Sequence, residues 1–336
     1  MNRLLARLNI DPYLLLLIST VGLASILPAR GAWAGIAGGV ADAGIALLFF
    51  LHGAKLSREA IIDGAKAWKL HLTVACLTFV LFPIVGLGVS AIPGLEPSLA
   101  MGVLYLTLLP STVQSSIAFT AIAGGNVAAA VCSASFSNLA GIFITPLLTA
   151  LFITGKTQGF STDPIVAIAV QLLLPFIAGH LLRPWIGGFV SRHKKLLGYT
   201  DRGSILLVVY TAFGAAVLEG LWHKVTLAEL GLIAALSLGI LAVIMVIGNV
   251  LGRMLGFNHE DRIVILFCGS KKSLATGVPL AGVLFPPAQV GAIILPLMFF
   301  HQIQLMVCAV LARRLAAQGE AQKSAQPVQA ELVEAP

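Results

Sequence analysis

The stretch CGSKKSLATGVP, residues 268–279, places two adjacent lysines in the middle of a segment that is otherwise apolar over residues 263–285. A lysine at the centre of a membrane-spanning helix costs about 2.5 to 3.5 kcal/mol on the insertion scale. The glycines and the proline of the same stretch disfavour a regular helix. The stretch therefore predicts an irregular membrane crossing in which the lysines are functional, because ionisable groups inside a membrane are costly.

The composition is that of an integral membrane protein. The chain of 336 residues is 58% hydrophobic and only 10% charged, whereas soluble domains carry about 25% charged residues. Apolar runs long enough to cross a hydrocarbon core as helices recur along the chain, so we predict an all-α polytopic membrane protein. The ten predicted spans are residues 13–28, 34–52, 70–92, 99–124, 127–154, 165–182, 203–220, 227–251, 262–285 and 288–311.

The basic residues predict the orientation, because short cytoplasmic loops collect Lys and Arg. With the N-terminus inside, the external segments hold only Arg30, Lys156 and Lys224. The net charge of +7 then reflects orientation, so we expect cytoplasmic termini, a cell (inner) membrane, and no nucleic-acid partner. Cleavage of a signal peptide near residues 32–34 is an alternative that would remove the first span.

An internal repeat indicates two halves. GIFITPLL, residues 141–148, is echoed by GAIILPLM, residues 291–298. These stretches lie in spans five and ten, which predicts two five-helix repeats, about 12–155 and 163–312, of opposite orientation within a single domain 1–316. Residues 317–336 are rich in Ala, Gln and Glu, and we expect a disordered cytoplasmic tail.

Two spans carry the composition of a broken helix. Span four contains LPSTVQSS, residues 109–116, in which Pro110 removes a helical hydrogen bond. In span nine, Gly269, Gly277 and Pro279 likewise disfavour a regular helix. Broken helices near the midplane hold cargo and ions in secondary transporters. The side chains expected to bind cargo or to couple transport at the breaks are Lys271, Lys272, Ser270, Ser273, Gln114 and Thr112.

Other buried polar residues extend the candidate site. Asp42 in span two is the expected acidic partner of the lysines, with a hydrated face of its helix as the alternative. Asn138 in span five is costly to bury and is the better functional candidate there, because membrane serines most often serve helix packing. Asn126 follows two glycines and is expected to cap the next helix. Cys76, Cys132, Cys268 and Cys308 lack a metal-ligand spacing, so we expect no metal cofactor.

Four motifs together resemble the bile acid:sodium symporter superfamily. They are FFLHGAKL (49–56), LPSTVQSS (109–116), GNV (125–127) and CGSKKSLA (268–275). The double lysine is similar to that of a divergent branch, related to solute carrier family ten and described as sodium-dependent. The resemblance implies ten helices in two inverted repeats, divided into a panel of spans one, two, six and seven and a core in which spans four and nine cross. Transport would then proceed by alternating access.

The resemblance also implies sodium ligands, which this sequence only partly retains. The family's polar pair in span four falls on Ser115 and Ser116, and its span-five hydroxyls fall near Ser133 and Ser137. The family's span-nine glutamate has no counterpart in residues 266–268, which read LFC. A lysine ammonium in the place of sodium is therefore an alternative. Because desolvation favours the neutral amine, coupling could then involve protons or no ion.

Three functions remain at this point. The first is secondary transport of a small organic anion, in which the lysines supply positive charge and sodium is the coupling ion if its site is intact. The second is an intramembrane enzyme with a lysine as nucleophile or base, although the sequence lacks the partner groups. The third is a non-transporting regulator. The sequence does not predict the oligomeric state, and the lipid bilayer is the expected environment.

Overall fold

The computed structural model describes residues 12–55, 67–92, 95–154 and 169–333, which form helices and short connections without a β-strand among them. The prediction of an all-α protein is confirmed. In chain order the α-helices are α1 (Pro12–Ile26), α2 (Ala32–Lys55), α3 (Trp68–Cys76), α4 (Phe82–Ser90), α5 (Pro97–Leu108), α6 (Gln114–Ile122), α7 (Val127–Thr149), α8 (Leu174–Arg192), α9 (Lys194–Leu218), α10 (Leu221–Lys224), α11 (Leu227–Met254), α12 (His259–Gly269), α13 (Leu274–Leu284) and α14 (Pro287–Val333). Short π-helical turns also occur, at Leu77–Leu81, Ala150–Thr154 and Ala169–Leu173.

Seven helical stretches of the described residues are long and apolar enough to cross a membrane, where ten spans were predicted. They are Ala32–Ala54, Trp68–Ser90, Val127–Ile153, Lys195–Leu218, Leu227–Met254, His259–Leu284 and Pro287–Gln318. Predicted spans one and four correspond to shorter apolar helices, Leu15–Ile26 and Pro97–Leu108. Predicted span six begins at residues 165–168, which lie outside the described part of the chain.

Side-chain caps fix where several helices begin. The Asn126 side chain accepts a hydrogen bond from the Ala129 amide at 3.0 Å, which confirms its prediction as the cap of α7. Thr226 and Glu229 form a reciprocal capping box at the start of α11. The Asn258 side chain caps α12 by accepting a hydrogen bond from the Asp261 amide at 2.7 Å. These caps satisfy amides that have no partner within the helix.

Two non-helical segments interrupt helices at the two stretches predicted to hold the functional site. Residues 109–113 separate α5 from α6, and residues 270–273 separate α12 from α13. The Ser273 amide donates a hydrogen bond to the Pro110 carbonyl oxygen at 2.9 Å. The two segments are therefore in direct contact. The stretch His259–Leu284 is the most enclosed of the apolar stretches, with 89% of its apolar window buried.

Gly277 and Pro279 do not break the helix as predicted, because both lie inside α13. A Cβ atom at Gly277 would approach side-chain atoms of Leu109 to 2.5 Å and of Leu297 to 2.7 Å. The glycine thus allows close packing. A proline inside a membrane helix is tolerated where neighbouring groups satisfy the freed backbone. The Tyr105 hydroxyl also donates to the Gly277 carbonyl oxygen at 2.7 Å, which links α5 to α13.

The last helix is longer than its membrane-compatible part. α14 continues to Val333, and the disorder expected over 317–336 stays a prediction. The membrane-compatible part of α14 ends at Gln318. Beyond it the sequence is rich in Ala, Gln and Glu, which are strong helix formers. The low apolar content that suggested disorder therefore coincides with high helix propensity.

Helices α2 and α8 approach each other to backbone contact. A Cβ atom at Gly53 would lie 2.0 Å from the Phe176 carbonyl oxygen, and one at Gly179 would lie 1.9 Å from the Phe50 carbonyl oxygen. Small residues permit this contact between membrane helices, where dispersion replaces the hydrophobic effect as the driving force. The glycine pair therefore holds α2 against α8.

We expect Gly179→Ala to destabilise the protein, because its methyl group would overlap the Phe50 carbonyl oxygen. Overpacking of this kind costs about 1 to 3 kcal/mol. Gly39→Ala on α2 is the matched control, since nothing lies within 4 Å of a Cβ atom there. Thermal unfolding in detergent measures both variants. Equal melting temperatures for the two variants would contradict this packing.

Candidate functional site

Lys272 is completely buried, and its ammonium group donates to three backbone carbonyl oxygens. The distances from Nζ are 2.8 Å to Thr78, 2.8 Å to Thr107 and 2.7 Å to Leu109. The Phe82 ring centroid lies 4.0 Å from Nζ. An ammonium has three N–H donors. All three are satisfied here without a carboxylate.

The three carbonyl groups are available because of where helices end or change geometry. Thr107 lies in the last turn of α5, and Leu109 follows that helix. The last carbonyls of a helix lack intrahelical partners and carry partial negative charge. Thr78 lies in the π-helical turn Leu77–Leu81, and such turns are frequent at functional sites. The interruption after α5 and the π-helical turn after α3 thus together supply the oxygen cage that holds Lys272.

Gln304 fixes the backbone of Lys272 from α14. Its side-chain oxygen accepts from the Lys272 amide at 2.8 Å, and its side-chain nitrogen donates to the Lys272 carbonyl oxygen at 3.0 Å. Gln304 is itself completely buried. One side-chain amide therefore supplies both hydrogen bonds that the non-helical Lys272 peptide lacks. Sequence reasoning missed Gln304, although a glutamine within predicted span ten was the available signal.

Lys271 has a different environment although it is equally buried. Its ammonium group donates to the carbonyl oxygen of Ser115, near the start of α6, at 2.8 Å. The ring centroids of Phe119 and Phe267 lie 4.1 Å and 5.4 Å from Nζ. Aromatic faces stabilise a desolvated cation, but they are weaker partners than carbonyl oxygens. Lys271 is therefore less firmly held than Lys272.

Three hydroxyl groups form a cluster beside Lys271. Thr112 is hydrogen-bonded to Ser115 and, at 3.3 Å, to Ser116. Ser116 donates to the Phe267 carbonyl oxygen at 3.1 Å. This cluster joins α6 to α12. It contains the two serines expected as sodium ligands in span four.

The two other expected sodium ligands have separate roles. The Ser137 hydroxyl oxygen accepts from the Ser111 amide at 3.0 Å. Ser133 is hydrogen-bonded to Nδ1 of His71 at 2.6 Å. The four serines therefore do not share one set of contacts. Two buried hydroxyl oxygens near the crossing, those of Thr78 and Ser111, have no hydrogen-bond partner among the described residues.

The remaining residues of the candidate site are only partly brought together. Asn138 accepts from the Thr276 hydroxyl at 2.8 Å, and Ser273 caps α13 through the Thr276 amide. The Ser270 hydroxyl donates to the carbonyl oxygen of Leu266 in the preceding helix, α12. Gln114, which begins α6, is exposed. The candidate coupling residues thus include several that hold the crossing in shape.

Asp42 is not the partner of the lysines. Its side chain is exposed and lines a separate cavity between α2, α9, α13 and α14. Both ammonium groups use backbone oxygens instead. In addition, the described residues contain no group of three or more His, Cys, Asp or Glu side chains that could hold a metal ion.

Comparison with known proteins identifies the family. Residues 11–317 match the sequence model of the SBF-like CPA transporter family. The chain belongs to this family. The predicted resemblance to bile acid:sodium symporters is thereby confirmed. An SBF-like transporter is an integral membrane protein and not an enzyme, so the intramembrane enzyme hypothesis is set aside.

Relatives of this SBF-like transporter occur in bacteria and vertebrates. The chain is 56% identical over 313 residues to the Escherichia coli protein named "Putative symporter YfeH", with 93% of this chain and 94% of that protein covered. It is 58% identical over 310 residues to the Pseudomonas aeruginosa protein named "Uncharacterized protein PA2026", with 91% and 93% covered. It is 26% identical over 322 residues to Sodium/bile acid cotransporter 7 of Danio rerio, with 92% and 94% covered.

We expect Lys272→Met to destabilise this SBF-like transporter more than Lys271→Met. The first change leaves three carbonyl oxygens without their donor, and the second leaves one. Each buried polar group left unsatisfied costs about 1 to 3 kcal/mol. Thermal unfolding in detergent compares the variants. A larger loss of stability in Lys271→Met would contradict the assigned difference between the lysines.

Gln304→Leu tests the backbone clamp, meaning the two hydrogen bonds between the Gln304 side chain and the Lys272 backbone. Losing both hydrogen bonds to the Lys272 peptide should cost about 2 kcal/mol or more. Gln302→Leu on the same helix is the control, because the Gln302 side-chain oxygen is buried without a hydrogen-bond partner among the described residues. We expect a small change there. Unfolding curves that shift equally for both variants would show that the clamp adds nothing specific.

Proposed function

We propose that the protein is a secondary transporter in which the Lys272 ammonium group serves as a built-in cation where two interrupted helices meet. The observation that carries the proposal is the cage of three carbonyl oxygens at 2.7 to 2.8 Å from Nζ. Unwound carbonyls and helix C-termini are the groups that hold coupling ions in secondary transporters. An ammonium group fixed to the chain occupies such a cage permanently.

The proposed architecture has ten crossings arranged as two inverted repeats of five, with a panel and a core that move to give alternating access. Two features support it. Both interruptions, residues 109–113 and 270–273, fall in corresponding predicted spans of the two halves. The repeated sequence stretches fall in α7 and α14, which follow those interruptions. We also propose cytoplasmic termini and an inner-membrane location, on the distribution of Lys and Arg.

With a lysine in the cation cage, transport should not require sodium at that position. Lys271 supplies a second ammonium group beside the hydroxyl cluster of Thr112, Ser115 and Ser116. Coupling to protons, or none, then replaces coupling to sodium. The absence of a span-nine glutamate supports the same conclusion.

Sodium symport is the second candidate function. Vertebrate relatives are named sodium/bile acid cotransporters. The hydroxyl cluster on α6 offers oxygen ligands that hard cations prefer. Under this candidate, sodium would bind near Ser115 and Ser116 while Lys272 keeps a purely structural role.

The prediction of a small organic anion as cargo assumed that the lysine side chains face the cargo. Both lysines have 0% exposure and donate to backbone oxygens. In this conformation neither offers a free ammonium group to an anion. The charge that faces a cavity is instead the carboxylate of Asp42.

The experiment measures thermal stability while sodium chloride replaces choline chloride at fixed ionic strength. We expect no stabilisation of the wild type and a sodium-dependent increase in Lys272→Ala, whose vacated cage exposes three carbonyl oxygens and the unpartnered Thr78 hydroxyl. Sodium at ten times its dissociation constant would add about 1.4 kcal/mol. Lys69→Ala, at an exposed lysine of α3, is the control and should show no effect.

Two outcomes would contradict the proposal. Sodium-dependent stabilisation of the wild type would favour sodium symport. Unchanged sodium response in Lys272→Ala, together with a folded protein by size exclusion, would show that the cage is not a cation site. Transport assays with a proton gradient at fixed sodium then separate proton coupling from uncoupled transport.

A further inference from the structure

A cavity of about 330 Å³ lies between α2, α9, α13 and α14, separate from the lysine cage. Small-molecule sites commonly have volumes of about 300 to 1,000 Å³. Well-buried residues such as Ile45, Val208 and Val290 form its apolar walls. The cavity is therefore large enough for a small organic molecule.

Within the described part of the chain, Asp42 is the one charged residue that lines this cavity. The other lining residues are Ala, Gly, Ile, Val, Leu and Pro, with a single threonine. That threonine, Thr211, already donates to the carbonyl oxygens of Leu207 and Val208 at 3.1 Å each. The Asp42 side chain is exposed, and its fixed negative charge attracts cations to the cavity and repels anions. The cavity thus has an electrostatic preference for cations.

We propose that this cavity binds a small organic cation, whose ammonium group pairs with the Asp42 carboxylate while its apolar body contacts Ile45, Val208 and Val290. An organic anion fits poorly. Among the residues that the structure describes, no Lys, Arg or His lines the cavity, so a carboxylate or sulfonate would meet Asp42 without a counter-charge. The inference deepens the proposed function by naming the cargo class, and it rests on that function in taking the bound molecule as cargo.

The position of the cavity suits cargo that enters from one side. Its walls come from the first half of α2, the second half of α9, the end of α13 and the start of α14. These four parts lie at one end of the bundle. In the proposed orientation that end is external, because the basic segments lie at the other end.

The cavity also lies between the two proposed moving parts. α2 and α9 belong to the panel, whereas α13 and α14 belong to the core. Movement of the core against the panel would therefore change the cavity directly. α13 connects the cavity to the lysine cage, because the non-helical segment 270–273 precedes it and Gly282 near its end lines the cavity.

Gly38 provides a way to fill the cavity without disturbing the helices. It lines the cavity, and nothing lies within 4 Å of a Cβ atom built on it. Gly38→Leu should therefore occupy cargo space while Asp42 stays in place. Gly39→Leu is the matched control, because Gly39 has equal open space but does not line the cavity.

The test uses calorimetry to measure the affinity of the purified wild-type protein for three pairs of probes, each an ammonium and a carboxylate with a similar apolar body. The pairs are butylammonium and butyrate, benzylammonium and benzoate, and cyclohexylammonium and cyclohexanecarboxylate. We expect ammonium probes to bind at least about tenfold more tightly than their carboxylate counterparts. Asp42→Asn should weaken ammonium binding about tenfold or more, since a hydrogen bond to a charged group is lost. Asp42→Glu should restore part of it. Gly38→Leu should abolish binding, and Gly39→Leu should not.

Three results would overturn the inference: carboxylate probes that bind as tightly as the ammonium probes, ammonium binding that survives Asp42→Asn, or no binding of any ammonium probe to folded wild type. These experiments measure binding affinity and do not require a transport assay. The sodium experiment on the lysine cage is independent of them. Failure of the cargo assignment is thus distinguishable from failure of the proposed transport mechanism.

Discussion

A buried ammonium group without a carboxylate partner is the constraint on which the centre of this transporter depends. Lys272 needs three oxygen acceptors in one place, and regular helices hide their carbonyl groups in internal hydrogen bonds. The acceptors become available only because α5 stops at Leu108 and a π-helical turn follows α3. The helix interruptions and the lysine therefore require each other. The interruptions supply carbonyl oxygens, and the lysine ammonium supplies the hydrogen-bond donors for them.

The two adjacent lysines have different hydrogen-bond partners because a non-helical backbone directs their side chains to different neighbours. Lys272 reaches three carbonyl oxygens in the first half of the chain, and Gln304 holds its peptide in place. Lys271 reaches one carbonyl oxygen and two aromatic rings on α6 and α12. Firmly bound charge suits a structural role, while a less satisfied ammonium is easier to neutralise or release. That difference is the basis for proposing Lys272 as the anchor of the crossing and Lys271 as the candidate for coupling.

The sequence predicted the membrane class and the family, and it singled out residues 268–279 as the candidate site, because hydropathy and charged residues inside apolar runs are local signals. It also predicted the Asn126 cap. It did not predict Gln304 or the Thr78 carbonyl as partners of Lys272, since contacts distant in sequence leave no periodic pattern. Pairing of Asp42 with the lysines was expected on charge alone. Backbone carbonyls, which every residue carries, took that place and are invisible to a reading of side-chain types.

The central claim is that the Lys272 ammonium occupies a cation site built from backbone oxygens. The most direct test is a high-resolution experimental structure of Lys272→Ala in sodium chloride, compared with the same variant in choline chloride. The account predicts ion density between the carbonyl oxygens of Thr78, Thr107 and Leu109 in sodium only. A collapsed cage with no ion, or sodium bound elsewhere in both variant and wild type, would contradict it.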